Sequence, residues 1–361
     1  MLRKENKGIT LVALVITIII LLILAGITIS SLTNTGLFSK AQEAKEKTKN
    51  ATENQAKTLN EYEDELNKYV SGTTSTQKLA DKVKVGDYVE YTPDELSNES
   101  LTTLKTNLNT YSGNSSSTVN TAIKRDDLKW RVLDVQNGQV RLISETPTTS
   151  KIELYGYNGY NNAVKLIDDA CSTLYTNKQL VSKVQNLKIE DITKYMTKQP
   201  ELDTTTYSPT NKYYPEILLK EKGQTVNGTT GAELDLSEQT EFINQTTKPQ
   251  VNSWILRKTY WFHSMNNTDS FKDTKYYELF INNGNNYSTY WVSSRCIDAD
   301  SYHSSFNVHI VNMGFIDANG LCNSDTNNST NECTFRPCIT LNSNVQVTSG
   351  NGTVEQAYII K

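Results

Sequence analysis

The sequence predicts an α+β protein: a long N-terminal transmembrane and amphipathic helix, followed by a mainly antiparallel β-rich head with two or three helices. Three observations carry this. The run from Leu11 to Ile29 is nineteen residues without a charge, close to the roughly 20 that a helix needs to cross a hydrocarbon core. Beyond it, Ala41, Ala44, Thr48, Ala51, Gln55, Leu59, Tyr62, Leu66 and Tyr69 recur at spacings of three and four, one face of a helix. Farther on, apolar and polar residues alternate in short runs bounded by Asn, Gly and Ser, the pattern of half-buried strands.

The elements follow in order. Residues 1–8 form a leader in which Arg3, Lys4 and Lys7 outweigh Glu5, and such a positive balance holds a leader on the cytoplasmic side. Residues 9–29 are then a transmembrane helix. The expectation is a single-pass cell membrane protein with a cytoplasmic N-terminus and an extracytoplasmic head. A cleaved secretory signal is the alternative, but its apolar core is typically about 7–15 residues. Asn34-Thr35-Gly36 is a weak point, since glycine costs up to about 1 kcal/mol inside a helix. Residues 30–70 continue the helix, with Lys40, Lys45, Lys47 and Lys49 alternating with Glu43 and Glu46 on its solvated side. Ala, Thr and Gln make poor coiled-coil seams, so Leu59, Tyr62, Leu66 and Tyr69 are expected to pack on the head. Residues 71–78 are a small, polar linker.

The head spans 79–361. Val83 to Tyr91 and Trp130 to Val135 alternate, and Asn137-Gly138 joins the second run to Val140-Arg141-Leu142-Ile143. Asn-Gly between two such runs signals a hairpin, because both residues tolerate positive φ. Ser97 to Ser117, rich in Ser, Thr and Asn, reads as a surface excursion. Val164, Ile167, Ala170, Cys171, Leu174 and Tyr175 share one face of a helix over Asn161–Tyr175, and a shorter helix covers Ile189–Met196. Asp203 to Gly231 reads as long loops. Strands are expected at Tyr276–Ile281, Thr289–Ser293, Phe306–Phe315, Ile339–Val347 and Val354–Ile360.

The string Lys7-Gly8-Ile9-Thr10-Leu11-Val12, followed by the unbroken apolar run, resembles the cleavage and methylation site of type IV prepilins and pseudopilins. The resemblance implies cleavage by a prepilin peptidase at Gly8–Ile9, N-methylation of Ile9, and packing against other pilin-like subunits through the N-terminal helix. That family usually carries a glutamate at the fifth residue after the cut, where it compensates the amino terminus of a neighbouring subunit; this chain has Ala13. An uncompensated ammonium in an apolar bundle is costly, so Ala13 argues against an interior place in a regular homopolymer. It is similar in this respect to the large tip subunit of type II secretion pseudopilins. A head of roughly 280 residues, about twice the usual domain size, also suits a minor or tip position.

A second resemblance covers most of the head. Trp130-Arg131-Val132-Leu133, Gly159-Tyr160-Asn161-Asn162-Ala163-Val164, Tyr290-Trp291-Val292-Ser293-Ser294-Arg295 and Arg336-Pro337-Cys338-Ile339-Thr340-Leu341 resemble modules on surface proteins of clostridia and their relatives. Those modules resemble the C-type-lectin-like fold also used by formylglycine-generating enzymes. The implication is architectural and carries no activity.

Net charge of -4, with a pI near 5.6, removes the case for nucleic-acid binding, which wants a basic face. Trp130 and Trp291 read as core aromatics. Arg295 and Arg336 read as clamps on a buried carboxylate. Twenty tyrosines, several beside asparagine, either serve a glycan or protein ligand of the head or are ordinary strand composition. His263, His303 and His309 lack zinc-type spacing, and His309 is expected to face away from Val308 and Ile310. No nucleophile elbow, phosphate loop or dinucleotide fingerprint occurs. No enzyme, cofactor or metal site is therefore expected, with a calcium site at Asp298 and Asp300 as the alternative. Cys322 with Cys333 would bridge a loop that otherwise has little to order it, Cys171–Cys296 is a second candidate pair, and Cys338 reads as a buried small hydrophobe. Two functions stay open: a pilin-like or pseudopilin-like subunit, minor or tip, displaying its head, and an adhesin or glycan- or protein-binding surface protein that does not polymerise.

Overall fold

The computed structural model describes residues 77–198, 212–220, 238–248, 268–283, 286–299 and 303–361, the single residues 47 and 55, and short paired segments between 202 and 260. The chain divides into two units, Met1–Thr74 and Ser75–Lys361. The architecture below is that of the second.

Two expectations are corrected at once. Among the described residues no helix is long and apolar enough to cross a membrane. Among those residues the single-pass anchor, and the localisation drawn from it, have no helix to carry them. Segment 9–29 lies outside the described residues, as does 30–70 apart from Lys47 and Gln55, which are helical. The head is strand-rich, but six α-helices occur among its described residues instead of two or three.

The strands are β1 (Gln77–Lys78), β2 (Tyr88–Glu90), β3 (Trp130–Gln136), β4 (Gln139–Ser144), β5 (Lys151–Tyr155), β6 (Val181–Asn186), β7 (Tyr290–Ala299), β8 (Ser304–Asn312), β9 (Phe315–Asn323), β10 (Thr330–Phe335), β11 (Pro337–Leu341), β12 (Gln346–Ser349) and β13 (Tyr358–Ile360). One sheet has eight strands in the order β1-β12-β13-β2-β3-β4-β11-β6, and a second has five in the order β9-β8-β7-β10-β5. Pairing is antiparallel except for β2 with β13 and β7 with β10.

The β3–β4 hairpin closes at Asn137 and Gly138 with φ of 52° and 77°, and Gln136 faces Gln139 across the turn. Local chemistry suffices there, because the two turn residues accept the left-handed conformation that matches strand twist. The single strand expected over Phe306–Phe315 is a hairpin instead: β8 turns into β9 at Met313 and Gly314, with φ of 46° and 95°. No Asn-Gly pair marks that turn, so the alternation runs through it unbroken in the sequence.

The helices are α1 (Asn98–Tyr111), α2 (Thr118–Thr121), α3 (Gly156–Tyr175), α4 (Ile189–Thr193), α5 (Glu216–Lys220) and α6 (Thr274–Phe280). Helix α1 occupies the segment expected to be a loop. Its start is a side-chain cap, the Ser97 hydroxyl accepting from the Ser100 amide. Within it the hydroxyls of Thr102, Thr106 and Thr110 each donate to the carbonyl four residues back, which turns polar residues from competitors of the helix into ornaments on its surface. Leu104 and Leu108 are buried, each stabilising the fold by about 1.5–3 kcal/mol. Ser117 caps α2 in the same way, and Asp273 caps α6 where a strand was expected.

Helix α3 begins five residues before the expected start and packs on strands of both sheets, β6 on one side and β5 and β7 on the other. All six residues of its anticipated apolar face are buried. Gly159 permits this approach, since a Cβ there would sit 2.9 Å from the Ser112 carbonyl oxygen. Asn186, at the end of β6, ties the layers together. Its side-chain amide donates to the Leu187 and Trp291 carbonyls, and its oxygen accepts the Arg336 amide at 2.6 Å.

Candidate ligand-binding site

The N-terminal residues singled out by the sequence, Gly8, Ile9 and Ala13, lie outside the described residues. The remaining candidates resolve mainly into structure.

Cys322 and Cys333 are buried free thiols, so the expected bridge is not made. Burial pushes the Cys322 thiol up, and that of Cys333 up to about 12. The loop between them is ordered by other means. The Asn323 side-chain oxygen accepts the amides of Asp325 and Asn327, and the Ser329 amide donates to the Leu321 carbonyl at 2.7 Å. An Asx-type loop of this kind needs no covalent tie. The second pairing is excluded because Cys171 is a free thiol within α3, 3.8 Å from the Asn186 oxygen. Cys338 is a buried free thiol in β11, as expected.

The two arginines are clamps, and the partners described for them are mainly backbone carbonyls. Arg336, 3% exposed, donates to the Ser144 carbonyl from Nε and Nη2, to the Glu145 carbonyl from Nη2 at 2.9 Å, and to the Leu279 carbonyl from Nη1. Arg295 donates to the Tyr160 and Asn161 carbonyls and to Gln239. A buried guanidinium so used staples chain segments far apart in sequence. The residues flanking these contacts, Asn161 and Asn162, are fully buried and hold the 239–245 segment, Asn162 accepting the Ile243 amide at 2.7 Å and donating to its carbonyl at 2.6 Å.

His309 is 1% exposed beside equally buried Val308 and Ile310. It takes the strand face opposite Val308 and Ile310, and all three are buried because β8 is covered on both faces. Burial pushes its imidazole down to about 4. His263 and Asp300 lie outside the described residues. Asp168 and Asp169 diverge to different lysines, Lys188 at 3.4 Å and Lys165 at 3.0 Å. Among the described residues no group of three or more His, Cys, Asp or Glu is placed to hold a metal ion.

One buried charged cluster remains. Arg141 forks onto Asp134 at 2.7 and 2.8 Å and reaches Asp191 at 2.5 Å, while the Tyr195 hydroxyl also donates to Asp134. Burial opposes ionisation of Asp134, but the Arg141 bonds hold its carboxyl below the usual carboxylate range. With every partner occupied, this cluster pins α4 to β3 and β4.

The open site is elsewhere. A cavity of about 310 Å³ is walled by Tyr91 after β2, Trp130 at the start of β3 and Tyr175 at the end of α3, with Arg125, Asp126 and Asp127 among the residues around it. The Trp130 ring meets Tyr91 edge-on at 5.3 Å and Tyr175 at 5.7 Å. Tyr91 donates to the Tyr175 carbonyl at 2.6 Å, and the Tyr175 hydroxyl accepts the Asp126 amide at 3.2 Å. Burial raises both phenols, which stay neutral. The charged residues are held in place: Arg125 donates to the Asp94 carbonyl at 2.5 Å, and the Asp126 carboxylate accepts from the amide and hydroxyl of Thr149. Beyond the Tyr91–Pro93 segment lies a groove of about 640 Å³ between α1 and α3, lined by Ser and Thr hydroxyls, the acidic residues Asp94, Glu95, Glu99 and Asp169, and Lys178. Sequence reasoning placed Trp130 in the core correctly but left Arg125-Asp126-Asp127 unassigned. Three consecutive charges, separated from the aromatic strand start only by Leu128 and Lys129, were the available signal.

No known protein family, curated protein or solved structure matches the chain.

Proposed function

We propose that this chain is a pilin-like or pseudopilin-like structural subunit, minor or tip, cut at Gly8–Ile9 by a prepilin peptidase and displaying its head for binding. The observation that carries the reading is the string Lys7-Gly8-Ile9-Thr10-Leu11-Val12 with an apolar run behind it. Ala13 in place of the usual glutamate supports a minor position, because a buried amino terminus there would lack its counter-charge. A head forming its own unit from Ser75 onward is compatible with display. Its helices, ion pairs and clamps serve internal structure, and among the described residues open space remains at the cavity by Trp130 and in the groove between α1 and α3. That same cavity favours, as a second reading, an adhesin that binds without polymerising.

The test is Gly8→Phe in cells that carry a prepilin peptidase. The variant should keep its full mass while the parent loses residues 1–8. A variant shortened by the leader despite the change would remove the assignment.

A further inference from the structure

We propose that the face of α3 carrying Asn158, Asn161, Asn162 and Lys165 is a site for an extended peptide with an aromatic-aliphatic pair between two glutamines, and that segment 239–245 of this chain occupies it in cis. No residue before Tyr111 takes part, so the site stands apart from the subunit reading.

Positions 158, 161, 162 and 165 recur at the three- and four-residue intervals that share a helix face, and the strap runs past them in reverse order. Phe242 lies beneath the Lys165 ammonium, 4.7 Å from its ring centre, and stacks flat on Tyr111 with ring centres 4.2 Å apart. The Ile243 amide donates to the Asn162 oxygen at 2.7 Å while its carbonyl accepts from the Asn162 nitrogen at 2.6 Å. The Gln245 amide donates to the Asn158 oxygen at 2.8 Å, and its side-chain oxygen accepts from Asn161 at 2.6 Å. At the other end the Gln239 side chain accepts from Arg295 at 2.5 Å and donates to Asn162 at 3.2 Å.

A bound ligand is held in this way. Segment 238–248 has no helix or strand, and among the described residues no backbone-to-backbone hydrogen bond ties it to the head. Side chains of α3 grip its main chain instead. Those side chains are set without it: Asn162 also donates to the Tyr111 and Asn158 carbonyls, the Asn161 oxygen accepts the Ile217 amide, and Arg295 donates to the Tyr160 and Asn161 carbonyls. A peptide entering in place of the strap would therefore meet a preorganised site and order little there. The strap can also leave at low cost, because Phe242 and Ile243 are only half-buried while Glu238, Thr240, Glu241 and Asn244 are exposed.

In cis the strap competes at an effective concentration on the order of millimolar, so it is loosened first. The full chain carrying Phe242→Ala and Gln245→Ala is titrated into a fluorescein-labelled synthetic peptide of residues 238–248 and followed by anisotropy. Saturable binding is expected, about 10-fold or more tighter than with the parent chain. Methylating the peptide at the Ile243 nitrogen removes the donor that Asn162 accepts and should weaken binding about 10-fold or more; a scrambled peptide should not bind. If the loosened chain fails to fold, amide exchange of the parent decides, with Ile243 and Gln245 expected to exchange about 10-fold or more ahead of Leu166 and Ile167 in α3. Exchange in step with α3, no saturable binding to a folded loosened chain, equal affinity of the parent, or equal binding of the methylated or scrambled peptide overturns the proposal. Every arm can use a chain left uncut at Gly8–Ile9, so failure of the subunit reading and failure of this one are told apart.

Discussion

Acidification should destabilise the head through His309. The imidazole ordinarily titrates at 6.5, and burial lowers it to about 4, so in the native protein it remains neutral while the unfolded chain takes up a proton. The sign follows from linkage: the unfolded state binds more protons as pH falls below 6.5, and stability present above that value is lost as pH falls toward 4. Each unit of difference is worth 1.36 kcal/mol, giving a loss from this group of about 2 kcal/mol between pH 7 and 5, and about 3 kcal/mol by pH 4. Urea unfolding of the parent and of His309→Gln, followed by tryptophan fluorescence at pH 7, 6, 5 and 4, isolates this contribution. The other titrating groups are common to both proteins and cancel in the difference. The glutamine variant should be less stable at pH 7 but have a flatter profile, the gap narrowing by about 1 kcal/mol or more for each unit below pH 6. Parallel profiles from pH 7 to 4 would refute the reasoning, since they would mean that His309 protonates as easily in the folded head as in the unfolded chain.

Two further outcomes follow from the clamps and turns. Arg336→Met leaves the buried carbonyls of Ser144, Glu145 and Leu279 without their donor; at roughly 1–3 kcal/mol for each orphaned group the cost should reach about 3 kcal/mol. In a scanning calorimeter this is a drop of about 6–12 °C, which Arg336→Lys should not restore, and a drop below about 2 °C would contradict the clamp. Met313 sits at φ 46° in the β8–β9 turn and is 70% exposed, so Met313→Asn should relieve left-handed strain and stabilise by about 0.5–1 kcal/mol; a loss of stability in urea would show that the methionine side chain holds the turn.

How far the sequence could be read depended on the range of the interactions involved. Asn137-Gly138 announced its hairpin because two adjacent residues settle the turn. The face of α3 was legible because helical spacing puts Val164, Ile167, Ala170, Cys171, Leu174 and Tyr175 on one side whatever lies opposite. Ser97 to Ser117 misled because its Ser, Thr and Asn residues suit loops and helix caps equally. Ser97 became a cap, and the leucines behind it found a core. Tyr276 to Ile281 misled for a similar reason, with Asp273 starting a helix where aromatic content suggested a strand. A run long enough to span a bilayer is visible in the sequence, yet no described helix bears it out.

The sequence by itself determined the features that need only near neighbours: the Gly8–Ile9 motif with Ala13 after it, the Asn-Gly turn, the stripe of α3 and the absence of familiar catalytic strings. Tertiary structure decided the rest. It left Cys322 and Cys333 as buried thiols on two strands, paired with Phe306 and Ile152. It buried His309 because a second layer covers β8, and it set Arg336 on carbonyls contributed by residues 144, 145 and 279. It also brought Tyr91, Arg125, Asp127, Trp130 and Tyr175 around one cavity. Pattern along a chain records which face of an element is apolar, but burial and contact depend on what the rest of the chain lays against that face.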